Sequence, residues 1–373
     1  MSGKRQHFIP QFLLTGFASH RTADAAYTWV FRKGASPVNP NIKKSGAEGY
    51  FYTTEADTEV DELITKAEGA FGTLADSLRT IQPAKVSDPL IPELIAHLEA
   101  RTRHLRQGFL RAGNHLVQKM LDFLSHKESF LSFVEKKLEK DPSILRESFA
   151  KELTSRGLPQ EFLGATLELS KPLLPVMMDR LRPQLPSMPE ALRPAMVTAV
   201  KDAVKSGHLG ALRKGIAPIA KTDRYRDLAY AVIDVSDEDL ILGDSILLFH
   251  VDSSRIYKTF LDKGDSLKGI YLPLSPRRLL VGTPLETWSR PSGLRGPIAH
   301  CSLEYFIAHN DTPANRLLAE HVGENAALIT TAELEEIIAS ALDALAQQGI
   351  QPDRPTVGAS PAECTSDSQQ GRH

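Results

Sequence analysis

The run LAYAVIDVSDEDLILGDSILLFHVD, residues 228–252, decides the fold class. Its pieces 228–235, 239–244 and 246–252 are dense in Val, Ile, Leu and Tyr and are parted by Ser, Asp and Gly, the texture of short strands and turns. GIYLPLS (269–275) and RLLVG (278–282) extend it into an antiparallel sheet. Working outward, AYTWVF (26–31) and GYFYT (49–53) predict N-terminal strands that join this sheet. Between the two ends the period changes to that of helices. Val60, Leu63, Ile64, Ala67, Phe71, Leu74 and Leu78 recur at three and four, which predicts an amphipathic helix over 57–81. A second helix opens at Asp88-Pro89, carries Ile91, Leu94, Leu98, Leu105 and Phe109, bends at Gly113 and ends near Leu124. Prolines break 127–214 into short helices, and helix returns over 298–322 and 331–347, the latter behind a Thr330/Glu333 capping box.

The expected fold is therefore α+β, mainly helical, with an antiparallel sheet built from N-terminal strands and strands in 228–282. Residues 1–350 read as one domain, with a motif region 1–54, a helical middle 57–214, a sheet-rich part 223–285 and C-terminal helices 298–347. Residues 351–373 are polar and rich in Pro and Ser, a disordered tail.

At 373 residues the chain can bury a sizeable core unaided. Its net charge of -2, from 44 basic and 46 acidic residues, excludes the global positive field of a nucleic-acid coat but leaves room for a local basic patch. Only Cys301 and Cys364 are present, so neither a disulfide framework nor a thiolate zinc site is expected. The start lacks a signal-peptide core and no apolar run reaches membrane length, so a cytoplasmic protein with no membrane partner is expected.

Two places are candidates for chemistry, and in the first the alternative is that Lys4 and Arg5 are solvated terminal charges while His7 satisfies a nearby carbonyl. In KRQHFIPQFLLTGF (4–17), Pro10 suits a helix start, with His7, Lys4 and Arg5 just outside it and Gln11 just inside. Two cations and an imidazole near helix N–H groups suit an anion such as phosphate. In the second helix the apolar stripe is interrupted by Arg101, with Arg103 two residues on. A guanidinium on a buried stripe needs a partner or a wet cavity, and Glu68, on the shoulder of the preceding helix, can supply the carboxylate. That pair is either a structural ion pair or part of a pocket.

Further candidates are simpler. Gly243-Asp244-Ser245 reads as a turn, and Arg277-Arg278 as edge charges or an anion site. Arg316 and His321 have the Arg-x4-His spacing of some helical RNases, but Leu317 replaces the polar residue usual there. P-loop, zincin and α/β-hydrolase motifs are absent. HFIP shares the His-x-x-Pro spacing of His-metal finger nucleases without their downstream Asn and His.

Taken together, K-R-Q-H-F-I-P-Q-F-L-L-x-x-F (4–17), W-V-F-R-K (29–33), A-E-G-Y-F-Y (47–52), Glu68, A-R-T-R (100–103), I-L-G-D-S (241–245), L-P-L-S-P (272–276) and the Asn315 helix resemble a bacterial domain of unknown function, number 4238. The resemblance spans about 4–323 and is loosest over 130–220. Gly243-Asp244-Ser245-Ile246 stands where that family has Ser-Asp-x-Pro. The family brings no activity, but the resemblance implies that His7, Glu68, Arg101, Asp244 and Asn315 form one site.

The resulting expectation is an anion-binding enzyme that cleaves a phosphoester, with a nucleotide or nucleic acid as substrate. His7 acts as general acid or base, Glu68 orients it, Arg101 takes transition-state charge, and Lys4, Arg5, Gln11, Arg103, Asp244 and Asn315 bind substrate. The rival is a non-catalytic ligand- or protein-binding module in which the same residues clamp. Cofactor, metal and protein partner are left open by the residues, and so is the biological process, for which phage defence is a conjecture no residue carries.

Overall fold

The computed structural model describes residues 5–53, 58–125, 143–169, 176, 188–284 and 292–347. Lys4 and the tail 351–373 lie outside them. Two compact units are formed, one of residues 1–117 and 194–334, the other of 118–193 and 335–373. Helix is the larger share, and the described strands pair antiparallel, so the fold is α+β.

The chain begins with β1 (Arg5–His7), α1 (Gln11–Gly16), β2 (His20–Arg21), β3 (Ala26–Tyr27), β4 (Trp29–Arg32) and β5 (Ala47–Gly49). Next come α2 (Glu59–Thr80), β6 (Ala84–Val86), α3 (Leu90–Ala100), α4 (Arg103–Ser125), α5 (Ser143–Ser155), α6 (Met188–Lys214) and α7 (Ile219–Arg226). The sheet-rich stretch holds β7 (Ala229–Asp234), β8 (Leu242–Gly243), β9 (Leu248–Val251), β10 (Tyr257–Lys258), β11 (Leu267–Ser275) and β12 (Arg278–Thr283). It is followed by α8 (Arg295–Cys301), β13 (Tyr305–Ala308), α9 (Pro313–Ala319) and α10 (Thr331–Gln347).

In the first unit, a six-stranded sheet runs β10-β9-β11-β12-β7-β6 and a three-stranded one runs β4-β13-β8. The helix expected over 57–81 is observed as α2, which buries Val60, Ile64, Phe71, Leu74 and Leu78 of the expected stripe together with Ala75, while Leu63 is exposed and Ala67 half-buried. Acidic residues in its first turn and Arg79 in its last match the helix dipole. The Thr330/Glu333 capping box of α10 is formed in both directions, Thr330 Oγ1 accepting from the Glu333 N–H and Glu333 Oε2 accepting from the Thr330 N–H.

Four local expectations are corrected. The second helix does not bend at Gly113; it breaks at Arg101-Thr102, because Arg101 caps α3 and turns its side chain inward, and α4 runs on through Gly113. The strand expected at 49–53 is displaced to β5, since Tyr50 adopts φ 53°, outside the β region, and Phe51 and Tyr52 drop into the core. The helix expected over 298–322 is α8, β13 and α9, because Tyr305–Ala308 is a fully buried run that pairs with β4 and β8. Of the strand expected at 239–244, only Leu242–Gly243 is extended, and it joins β13 together with the N-terminal β4 rather than the large sheet.

The second unit contains α5, a hydrogen bond of 2.6 Å from Arg193 to Gln118 and an ion pair of 2.9 Å between Lys119 and Glu335.

Candidate functional site

His7 ends a strand and does not cap a long helix. β1 pairs with β5, His7 opposite Ala47, and the α1 that follows is only six residues long. Its ring is half-buried, and Nδ1 lies 3.4 Å from the Gln11 amide nitrogen. Nε2 is buried and meets no group in hydrogen-bonding geometry. Burial lowers its pKa below the usual histidine value; the Ile42 carbonyl and Glu68 oppose this, and the charges of Arg101 and Arg5 add to it. The imidazole is therefore neutral at pH 7.

Arg101 sits at the C-terminal end of α3, 1% exposed. Its Nη1 donates to Glu68 Oε1 and lies 3.0 Å from His97 Nε2; its Nη2 donates to the His7 carbonyl; its Nε donates to the Tyr52 hydroxyl at 3.3 Å. Tyr52 returns a bond of 2.8 Å to the Arg101 carbonyl. Burial works against this charge, but Tyr52 and Glu68 outweigh it and hold the guanidinium above its ordinary pKa. The expected Arg101–Glu68 pair exists, and it is joined to His7 through the His7 backbone. His97, pressed by burial and by Arg101, is pushed down to about 3 and stays neutral.

Two residues further on, Arg103 opens α4 and faces outward into a cleft of about 270 Å³. The walls supply four cations, Arg5, Arg32, Lys44 and Arg103, against two carboxylates, Glu48 and Glu304, with Phe8 and Tyr305 as aromatic surface. Arg103 donates through Nη1 to Glu304, while its Nε stands 3.1 Å from Glu48 but off the line a hydrogen bond requires, so that N–H is unsatisfied. The Arg32 guanidinium lies 5.0 Å from the Tyr305 ring centre and that of Arg103 6.0 Å from Phe8, so both are oriented by aromatic faces. Arg5 donates to the Lys44 carbonyl at 3.3 Å. Gly46 closes the floor: its carbonyl accepts from the Phe8 and Ile9 N–H groups at 2.8 and 3.1 Å. Its φ of 62° and an Ile9 Cβ that would stand 2.7 Å from any added Cβ leave room only for glycine.

Asp244 is fully buried and serves the cleft indirectly. Its carboxylate accepts from the Leu303 and Glu304 N–H groups at 2.6 and 2.8 Å, and its own N–H donates to the Tyr305 carbonyl at 3.2 Å. It thus holds the turn that presents Glu304 and Tyr305. Burial raises its pKa to about 6, although the backbone N–H groups favour the charged form.

The structure thus brings His7, Gln11, Glu68 and Arg101 into one cluster, and Arg5 and Arg103 into the adjoining cleft. Asn315 lies with neither. It is buried on α9, accepting from Arg295 at 2.5 Å and donating to the Asn310 carbonyl at 2.8 Å, a fastening between α8 and α9. The cleft residues Arg32, Lys44, Glu48, Glu304 and Tyr305 were not among the expected site residues. Arg32 and Glu48 stand inside the quoted W-V-F-R-K and A-E-G-Y-F-Y segments, so a signal existed for them; Glu304 and Tyr305 were hidden in the supposed helix over 298–322.

A cleft lined from β1, β4, β5 and α4, with a buried arginine cluster behind it, is the candidate site of this chain. The family model described as Protein of unknown function (DUF4238) matches residues 5–292, and the chain belongs to that family. His7, Glu68, Arg101 and Asp244 fall inside the match and Asn315 outside it. No curated protein and no solved structure gave a match. Among the described residues, no helix is long and apolar enough to cross a membrane.

Proposed function

We propose that the chain binds a phosphorylated substrate, a nucleotide or a nucleic-acid phosphate, in the Arg5–Arg103 cleft and cleaves its phosphoester with His7 as general base. The observation that carries the binding half is the excess of four cations over two carboxylates in one small cleft. The catalytic half rests on an imidazole that burial keeps below the usual histidine pKa, two residues from Arg5 and on the same face of β1. In this scheme His7 takes a proton from water as its oxygen bonds phosphorus, the P–O bond to the leaving alcohol breaks, and the proton passes to that oxygen. Arg5, Arg32 and Arg103 stabilise the charge on the phosphoryl oxygens. Arg101 and Glu68 act as positioning residues that fix the His7 backbone.

The non-catalytic reading keeps one observation in its favour. Arg101 and Glu68 are committed to each other, and the His7 ring is not among the groups that line the cleft. The two readings part on His7→Ala. A phosphodiester assay on single-stranded and double-stranded oligonucleotides, run beside binding titrations, should show turnover that His7→Ala abolishes while affinity stays within a few-fold. Binding without turnover in the unaltered protein would leave the clamp reading standing.

A further inference from the structure

We propose a divalent transition-metal site, of the class that zinc occupies, at His300, His321 and Glu324. It is separate from the cleft and does not rest on the function proposed for it. His300 lies in the last turn of α8, while His321 and Glu324 lie three residues apart on the turn after α9. That spacing puts the second pair on one side of a helical turn. The two segments are tied by the Asn325 N–H, which donates to the His300 carbonyl at 2.8 Å. The imidazoles stack at 5.2 Å with 28° between their planes. Between them stands one carboxylate: Glu324 Oε1 lies 2.8 Å from His321 Nδ1 and Oε2 lies 3.4 Å from His300 Nδ1.

The donor atoms of the three side chains lie within 4.8 Å of one another. A tetrahedral ion about 2.0 Å from each donor sets them about 3.3 Å apart, so small side-chain rotations close the site. Two imidazoles and a carboxylate are a ligand set that suits zinc and the late first-row divalent ions, with water completing the tetrahedron. Cys301 is not a fourth ligand, because it is buried and directs its thiol to the Tyr257 carbonyl. Lys33 also acts on the Glu324 charge, after the two histidines. Arg316, at the Arg-x4-His spacing from His321, pairs instead with Asp311 at 2.5 Å, which leaves His321 to the cluster.

The test is calorimetric titration of the metal-stripped full chain with zinc chloride, with thermal unfolding followed in parallel. The expected result is one zinc equivalent, weakened about tenfold or more in His300→Ala and in His321→Ala, with a zinc-induced rise in unfolding temperature seen only in the unaltered protein. Glu324→Gln is the control for misfolding, since it keeps the shape and loses the anionic ligand; it should fold with the same melting temperature in the absence of zinc and bind it as weakly as the histidine variants. Uptake that is equal in all four proteins, or no uptake by the unaltered chain, overturns the site.

Discussion

Arg101 and Arg103 stand two residues apart and live in opposite worlds. Arg101 is 1% exposed and hands its donors to Glu68, the His7 carbonyl and Tyr52, with His97 alongside. Arg103 has a side chain 24% exposed and is paired at the cleft wall with Glu304 and, at 3.1 Å, with Glu48. The first is a fastener whose charge is already answered inside the protein; the second belongs to a cleft with cations in excess. The break between α3 and α4 makes the difference, because ending one helix at Ala100 and starting the next at Arg103 turns two nearby guanidinium groups in different directions.

The sharpest way to break that contrast is to truncate both. Arg101→Ala leaves Glu68 and the His7 carbonyl without their donor and should lower stability by about 3–5 kcal/mol in urea unfolding. Arg103→Ala removes two partly exposed pairs, with Glu304 and Glu48, and should cost about 1 kcal/mol. Equal losses would mean that both arginines are scaffolding. Replacing Arg101 and Glu68 together by Met and Leu should restore part of the loss, since what the single change leaves behind is an unpaired charge.

Acidification probes the buried side next. Burial, with help from neighbouring arginines, pushes His97 down to about 3 and His104 and His208 down to about 4. Each is neutral when folded, while the unfolded chain takes up a proton near pH 6.5, so their contribution is complete above that pH and is lost as pH falls toward 4. The loss should approach about 1.4 kcal/mol per pH unit for each histidine. Asp244 has the opposite sign. With its folded pKa raised to about 6, it contributes stability that is present below about pH 4 and disappears as pH rises through 6. Asp244→Asn should therefore steepen the acid loss between pH 6 and 4, read as the slope of unfolding free energy against pH. An unchanged slope would remove Asp244 from the account.

The parts of this architecture that were legible in the sequence are those where one periodicity had no competitor. The residue spacing of α2 and the capping box of α10 led directly to observed helices, and the β-rich runs at 228–235, 269–275 and 278–282 to β7, β11 and β12. The pairing of Arg101 with Glu68 was also readable, because a charge on an apolar stripe calls for a partner. What could not be read depended on the chain meeting itself at long range. Tyr305–Ala308 reads as part of a helix until β4 and β8 flank it, and Tyr50 gives no local warning of its positive φ. The cleft joins residues from position 5 to position 305, so no window of sequence contains it. Asn315 shows the converse hazard, a residue placed in the site by resemblance that in fact fastens two helices.

The smallest structural perturbation carries the greatest weight for function. Arg103→Ala barely touches the fold, yet it removes a wall of the cleft, and the central claim is that this cleft is where phosphate binds. Calorimetric titration of the unaltered chain and of Arg103→Ala with a short 5′-phosphorylated oligonucleotide at low salt tests it directly. The account predicts measurable binding that falls about tenfold or more in the variant while its melting temperature stays nearly the same. Binding of equal strength in both proteins, or none in the unaltered chain, would contradict it.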